Sequence, residues 1–105
     1  MVLRHSPFAD SKQLLAVMRG AGPIGKGARG PGIKLLQHGL IELGYELSRA
    51  TRKGVEPDGV FSSDMRRAVE TFQTAQAIHA DGRVGKITLT RIDALLAERY
   101  KRVTG

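Results

Sequence analysis

The chain has 105 residues, of which 41% are hydrophobic, so it is long enough for one domain with one hydrophobic core. It contains no cysteine, which excludes a disulfide framework, a thiolate metal site and a cysteine nucleophile. The formal net charge is +7, and residues 1–41 carry six Lys/Arg against Asp10 alone, an excess that either attracts a polyanion or keeps the chain soluble.

The first predicted element is a short N-terminal helix. Ser11 can cap its start, and Leu14, Leu15 and Met18 lie on one face at helical spacing. Gly20 supplies a stop because glycine readily takes the backbone conformation that ends a helix. Such a helix has one apolar face that must be covered, either by the rest of the chain or by a partner.

A glycine-rich stretch follows this helix. Six of the thirteen glycines lie between residues 20 and 32, together with two prolines, a density that excludes a helix or a central strand. We therefore interpret residues 1–29 as an N-terminal helix on a basic, glycine-rich tether. Residues 30–105 are then the helical domain.

Three longer helices are predicted after the tether, each with an apolar stripe at helical spacing. The stripes are Ile33, Leu36, Leu40 and Leu43 in the first, Met65, Ala68, Val69 and Phe72 in the second, and Thr88, Ile92, Leu95 and Leu96 in the third. Residues 48–57 show neither a helical nor a strand pattern and are predicted to be a loop carrying Arg49, Arg52 and Lys53. Since no segment has a convincing strand pattern, the predicted fold class is all-α.

An Asp-Gly motif precedes each of the last two helices, and the offset between the copies is 23 residues. Asp58 and Asp81 can each bend a carboxylate onto a nearby backbone N–H, and Gly59 and Gly82 can take the positive φ of a tight turn. The apolar stripes that follow match at the same offset. We predict two repeated turn-and-helix units of one small bundle, since a solenoid would need at least a third copy.

The order and spacing of these motifs resembles the peptidoglycan-binding-like domain family, whose members are small three-helix modules commonly attached to cell-wall-degrading enzymes. The residues that carry the resemblance are Ile33, Leu36, Gln37, Leu40, Leu43, Gly44, Tyr45, 58–61, Ala68, Val69, Phe72, Gln73, 81–85 and Thr88. It covers residues 30 to 97 and implies a three-helix orthogonal bundle. It further implies noncatalytic binding of peptidoglycan, its stem peptides or another acidic wall polymer.

The chain departs from the family pattern at several positions. Ser62 and Ala77 stand where the family usually has glycine, Met65 stands where it usually has threonine, and Leu89 often corresponds to an aromatic residue. An aromatic at position 89 could have formed part of a sugar-stacking surface. Tyr45 is therefore the preferred aromatic contact in this chain, with packing against the core as the alternative.

Four residues are the candidate ligand-binding set: Tyr45 for stacking, Arg66 and Arg83 for pairing with carboxylates, and Asp81 for shaping the loop. A solvated charged face is the structural alternative for the arginines. Asp58 and Asp81 occupy equivalent turns, which favours a structural role over a catalytic pair of acids. Gln37 and Gln73 each follow a core residue, which predicts buried amides that bond to a loop backbone.

Nothing in the sequence predicts an enzyme, a cofactor or a metal site. His5, His38 and His79 lie far apart and form no HExxH motif. No serine stands in a nucleophile elbow, and Gly25-Lys26-Gly27 lacks the full phosphate-loop spacing. We expect a noncatalytic protein without a metal or cofactor.

Two alternatives to wall binding remain open. The first is a structural protein that docks on a protein partner through its N-terminal helix, or on a larger phage-tail-like assembly. The second is a basic nucleic-acid-binding protein, which is less favoured because residues 42–105 carry eleven Lys/Arg against nine Asp/Glu.

The sequence also bears on where the protein acts. No run approaches the roughly 18 apolar residues of a membrane span, and charged residues interrupt the first twenty positions. We therefore expect no membrane span and no signal peptide, with synthesis in the cytoplasm. Delivery to a cell wall would then need lysis, a specialised secretion route or injection.

Overall fold

The computed structural model describes residues 3–45, 47 and 57–104, and within them the chain forms five α-helices and no strands. The helices are α1 (Ser6–Ala9), α2 (Lys12–Met18), α3 (Pro31–Glu42), α4 (Ser63–Ala75) and α5 (Lys86–Thr104). The all-α prediction is confirmed. Residues 48–56 of the predicted loop, which include Arg49, Arg52 and Lys53, lie outside the described residues.

The N-terminal helix begins and ends as predicted. The Ser11 hydroxyl caps α2 by accepting a hydrogen bond from the Leu14 N–H at 3.3 Å, and Gly20 follows with φ +97°. One further turn of helix, α1, precedes it and was not predicted. Its four residues are too few to show a helical period.

The N-terminal helices share one hydrophobic core with the three longer helices. Leu3, Phe8, Leu14 and Val17 are buried in the same cluster as the apolar stripes of α3, α4 and α5. In the packing, α1 contacts α2 and α3, while α2 contacts α3 and α5. Residues 1–29 and residues 30–105 both contribute side chains to this core. The division of the chain into these two parts stays a prediction.

The predicted apolar stripe of α5 is wrong at one position. Leu95 is 36% exposed, whereas Leu89, which the stripe omitted, is fully buried. The buried face of the helix runs through Leu89, Ile92 and Leu96, so Leu95 lies at its edge. The aromatic that the family often has at position 89 would accordingly lie in the core and not on a sugar-stacking surface.

The buried carboxylate of Asp93 attaches the N-terminal segment to α5. The side chain is only 3% exposed, and it accepts hydrogen bonds from the Arg4 N–H at 2.9 and 3.0 Å and from the His5 N–H at 2.8 Å. A carboxylate tolerates burial when backbone donors satisfy its oxygens. Asp93 therefore anchors residues that are 88 and 89 positions away in the sequence.

Candidate functional site

The two Asp-Gly turns, residues 58–60 and 81–83, have the same geometry, as the repeat predicted. The glycine in the middle of each turn has φ +73°, in the left-handed region where a Cβ atom is strained. The aspartate carboxylate of each turn accepts a hydrogen bond from the N–H two residues later, at 3.0 Å in the first turn and 2.9 Å in the second.

A buried glutamine amide holds each turn in place. Gln37 donates to the carboxylate and to the last carbonyl of the first turn, both at 3.0 Å, and accepts from its glycine N–H at 2.8 Å. Gln73 does the same in the second turn, at 3.0, 2.8 and 3.0 Å, and lies 3.0 Å from the Thr88 hydroxyl. The predicted role of both amides is confirmed.

The glycine-rich stretch does more than tether α2, because its backbone pairs with the first turn and with the residue that directly follows each turn. Ile24 and Val84 exchange N–H to carbonyl hydrogen bonds of 3.0 and 2.7 Å. Nearer α3, the Phe61 N–H donates to the Ala28 carbonyl at 2.9 Å, and the Gly30 N–H donates to a carbonyl of the first turn at 3.1 Å. The stretch therefore forms a fixed wall between α2 and the two turns.

This wall closes a groove of about 780 Å³. The groove is lined by α2, by residues 21–26 and Ala28 of the glycine-rich stretch, by Arg66 of α4 and by the 81–83 turn. Three of the four candidate residues, Arg66, Asp81 and Arg83, thus line one concavity. Concave sites with a few convergent polar groups are where ligands bind most often.

Tyr45, the fourth candidate, does not line this groove. Its ring is half-buried and packs edge-on against the Phe72 ring, with the centroids 5.5 Å apart. This is the arrangement that aromatic pairs prefer inside proteins. The contact corresponds to the packing alternative, and it leaves the arginines and the turn together without the tyrosine.

Glycines let both arginine side chains lie close along the groove. A Cβ atom at Gly82 would stand 2.8 Å from Cγ and 2.9 Å from Nε of Arg66, and one at Gly25 would stand 3.4 Å from Cγ of Arg83. The stem of each arginine therefore lies against the backbone of a glycine. Each arginine as a whole nevertheless remains exposed to solvent.

Both turn carboxylates favour the ionised state. Hydrogen bonds from the Val60 N–H and the Gln37 amide hold the pKa of Asp58 below its usual 3.8. Burial alone would raise the pKa of Asp81, but hydrogen bonds from the Arg83 N–H and the Gln73 amide outweigh it, so this pKa is also lowered. Asp81 is therefore negatively charged in the groove at neutral pH.

The charge of the groove suits an anionic or zwitterionic ligand. Lys26, Arg66 and Arg83 contribute three positive charges and Asp81 one negative charge, so the lining carries 3 − 1 = +2. Guanidinium groups bind carboxylates through paired N–H donors, and an ionised aspartate can accept from an ammonium group.

Sequence reasoning missed Gln13, which lines the groove from α2. Its amide donates to the Arg29 carbonyl at 3.0 Å and accepts from the Gly32 N–H at 2.9 Å, so it joins α2 to the start of α3. Ala77, one of the departures from the family pattern, has φ +57°, in the left-handed region that favours glycine. No local signal marked Gln13, since its partners are 16 and 19 residues away.

The fold and the groove define a small, all-helical binding module. Residues 29–92 match the sequence model of the family described as "Putative peptidoglycan binding domain", and the chain belongs to this family. The described residues contain no helix long and apolar enough to cross a membrane. Nor do they contain a group of three or more His, Asp or Glu residues that could hold a metal ion.

Two known proteins extend the comparison. A peptidoglycan-binding protein from Clostridioides difficile, crystallised in complex with glutamine hydroxamate, is similar with a TM-score of 0.60 and 32% identity, covering 71% of this chain and 42% of that one. The type VI secretion system spike protein VgrG3 of Vibrio cholerae is 35% identical over 103 residues, covering 88% of this chain. The chain spans 10% of the length of VgrG3.

Proposed function

We propose that this domain is a noncatalytic module that binds peptidoglycan, and that the groove between α2 and the 81–83 turn takes the carboxylates of its stem peptides. The observation that carries the proposal is the convergence of Arg66 and Arg83 on one groove with Asp81 between them in the chain. Stem peptides present carboxylates at their free ends and side chains, which are the groups that guanidinium forks bind best.

Two further observations support this function. The chain belongs to a family described as peptidoglycan-binding, and the similar C. difficile protein carries the same description. The second turn is built to hold its residues still, because Gln73 bonds to both Asp81 and Arg83. A preformed site loses less conformational entropy when the ligand binds.

Retention on insoluble cell-wall sacculi tests the proposal. Arg66→Ser and Arg83→Ser each remove one guanidinium from an exposed position, so we expect folded proteins with about tenfold weaker retention. Arg67→Ser is the matched control, because Arg67 is an exposed arginine on the same helix that does not line the groove. Its retention should equal that of the wild type.

Two results would contradict this function. One is retention no greater than that of an unrelated protein of the same size and charge. The other is an equal loss for Arg67→Ser, because retention would then reflect net charge and not the groove. Tyr45 stays a proposed stacking residue outside the groove, and Tyr45→Leu in the same assay shows whether its ring contributes.

A second candidate function is a structural role in a secretion spike, favoured by the similarity to VgrG3. That similarity covers 88% of the chain, more than residues 29–92, so it includes residues outside the family match. Size-exclusion chromatography with light scattering, after the chain is mixed with purified VgrG3, tests this role. A stable complex would support it, whereas separate elution together with groove-dependent sacculus retention would reject it.

A further inference from the structure

An exposed isoleucine stands at the start of α5 between two cavities. Ile87 is 67% exposed, although isoleucine is among the residue types most often buried. It lines a cavity of about 670 Å³ on one side and a second of about 310 Å³ on the other, and Lys86 lines both as well. Ile87 is therefore a ridge between two depressions.

The walls of these cavities are mainly apolar and come from three parts of the chain. Pro23 and Ile78 line the larger cavity, and Met18 lines the smaller one. We call the four residues Met18, Pro23, Ile78 and Ile87 the Ile87 surface. Pro23 and Ile87 are exposed, and Met18 and Ile78 are half-buried. A contiguous apolar surface commonly marks a site of protein interaction.

The Ile87 surface depends on the N-terminal helix. The Met18 sulfur of α2 accepts a hydrogen bond from the Thr90 hydroxyl of α5 at 3.9 Å, which holds the two helices side by side here. Met18 and Pro23 both lie outside residues 29–92, so the family match does not define this surface. The core face of α2 is already buried, so the apolar surface that this helix still offers a protein partner includes the one that it forms with α5.

The rim of the Ile87 surface is positively charged. Its cavities are lined by three cationic residues, Arg83, Lys86 and Arg91, and by one acidic residue, Asp81. The net charge of this rim is therefore 3 − 1 = +2, and the net charge of the whole chain is +7. A second copy of the chain would bring like charges together, so charge complementarity favours an acidic partner over self-association.

We propose that the Ile87 surface is a docking site for an acidic amphipathic segment of another protein. Two apolar side chains of that segment enter the depressions on either side of Ile87, and its carboxylates face Lys86 and Arg91. Helical segments dock in this way when apolar residues one turn apart fit an apolar groove. The site adjoins the arginine groove, with which it shares the lining residues Val17, Gly22, Pro23, Asp81 and Arg83, but Ile87 lines only the two cavities of the docking site.

Designed peptides test the site on the whole chain. The probe is an acetylated helical peptide with two leucines at i and i+4 and glutamates on its flanks. One control peptide carries lysines in place of the glutamates, and another carries serines in place of the leucines. We expect the acidic leucine peptide to bind and to shift the NMR amide signals of Met18, Ile78 and Ile87, and both control peptides to bind at least tenfold more weakly.

Variants of exposed residues then locate the binding. Ile87→Ser and Arg91→Glu should each weaken binding of the acidic peptide about tenfold or more. The matched controls are Leu95→Ser on the same helix and Arg67→Glu on α4, which line neither cavity. Both controls should bind the peptide as the wild type does.

Several outcomes would overturn the proposal. These are no binding of the acidic peptide, equal binding of the lysine peptide, or signal shifts confined to the arginine groove. Self-association that Ile87→Ser abolishes would instead assign the surface to a second copy. We also expect Ile87→Ser to retain full sacculus binding, so the docking site and the wall-binding groove can fail independently.

Discussion

Replacing Gln73 by leucine removes the amide that holds the second turn and nearly preserves the side-chain volume. The amide has two protons, and it faces the Arg83 carbonyl at 2.8 Å and the Asp81 carboxylate and Thr88 hydroxyl at 3.0 Å. Its oxygen accepts from the Gly82 N–H at 3.0 Å. Leucine can make none of these hydrogen bonds.

The expected cost follows from which groups lose their partner. Gln73 is 1% exposed and its bond with the Gly82 N–H is buried, so water cannot take its place there. An unsatisfied buried donor costs about 1–3 kcal/mol, and the partly buried Arg83 carbonyl adds about 1 kcal/mol. We therefore expect Gln73→Leu to lower the free energy of unfolding by about 2–4 kcal/mol.

Urea unfolding followed by circular dichroism measures this loss, because the midpoint and slope together give the free energy of unfolding. Gln37→Leu removes the equivalent amide of the first turn and should cost a similar amount. Gln76→Leu is the control, because Gln76 is a half-buried glutamine at the C-terminal end of α4. This change should alter the free energy of unfolding by less than about 0.5 kcal/mol. The reasoning is refuted if Gln73→Leu is no more costly than Gln76→Leu.

Two further predictions concern carboxylates. Asp93→Asn leaves one acceptor oxygen for the N–H groups of Arg4 and His5. We therefore expect the free energy of unfolding to fall by about 1.5–3 kcal/mol and hydrogen exchange in α1 to become faster. Unchanged exchange in α1 would contradict this prediction. The pKa values of Asp58 and Asp81 lie below the usual 3.8, so their contribution to stability is complete above that pH and is lost as the pH falls through the lowered values. In urea titrations at several pH values, the double variant Asp58→Asn, Asp81→Asn should lose less stability on acidification than the wild type, and an equal loss would count against this account.

Local patterns in the sequence were sufficient to predict helices α2 to α5 and the two turns, but not the single-turn helix α1. A helical stripe needs only residues three and four apart, and a capping serine or a turn glycine acts within a few positions. The repeated Asp-Gly motifs therefore predicted two equivalent turns, and both glycines do have φ +73°. The family resemblance followed from the same short motifs and is confirmed by the match over residues 29–92.

The candidate site was only partly visible in the sequence. Arg66, Asp81 and Arg83 were named from charge and turn position, and the structure brings them to one groove. Tyr45 was named because few aromatics remain in the chain, but its ring packs against Phe72. Composition shows which side chains are available, whereas only packing shows which surface each one faces.

What the sequence by itself determined is the four longer helices, the two turns and the family. Only the tertiary structure decided that α2 packs against α3 and α5, that the glycine-rich stretch pairs with the first turn and with Val84 after the second, and that a groove and the Ile87 surface result. The physical reason is the distance along the chain over which each feature forms. Helices and turns depend on neighbours within a few residues, but a groove depends on segments that become neighbours only when the chain folds.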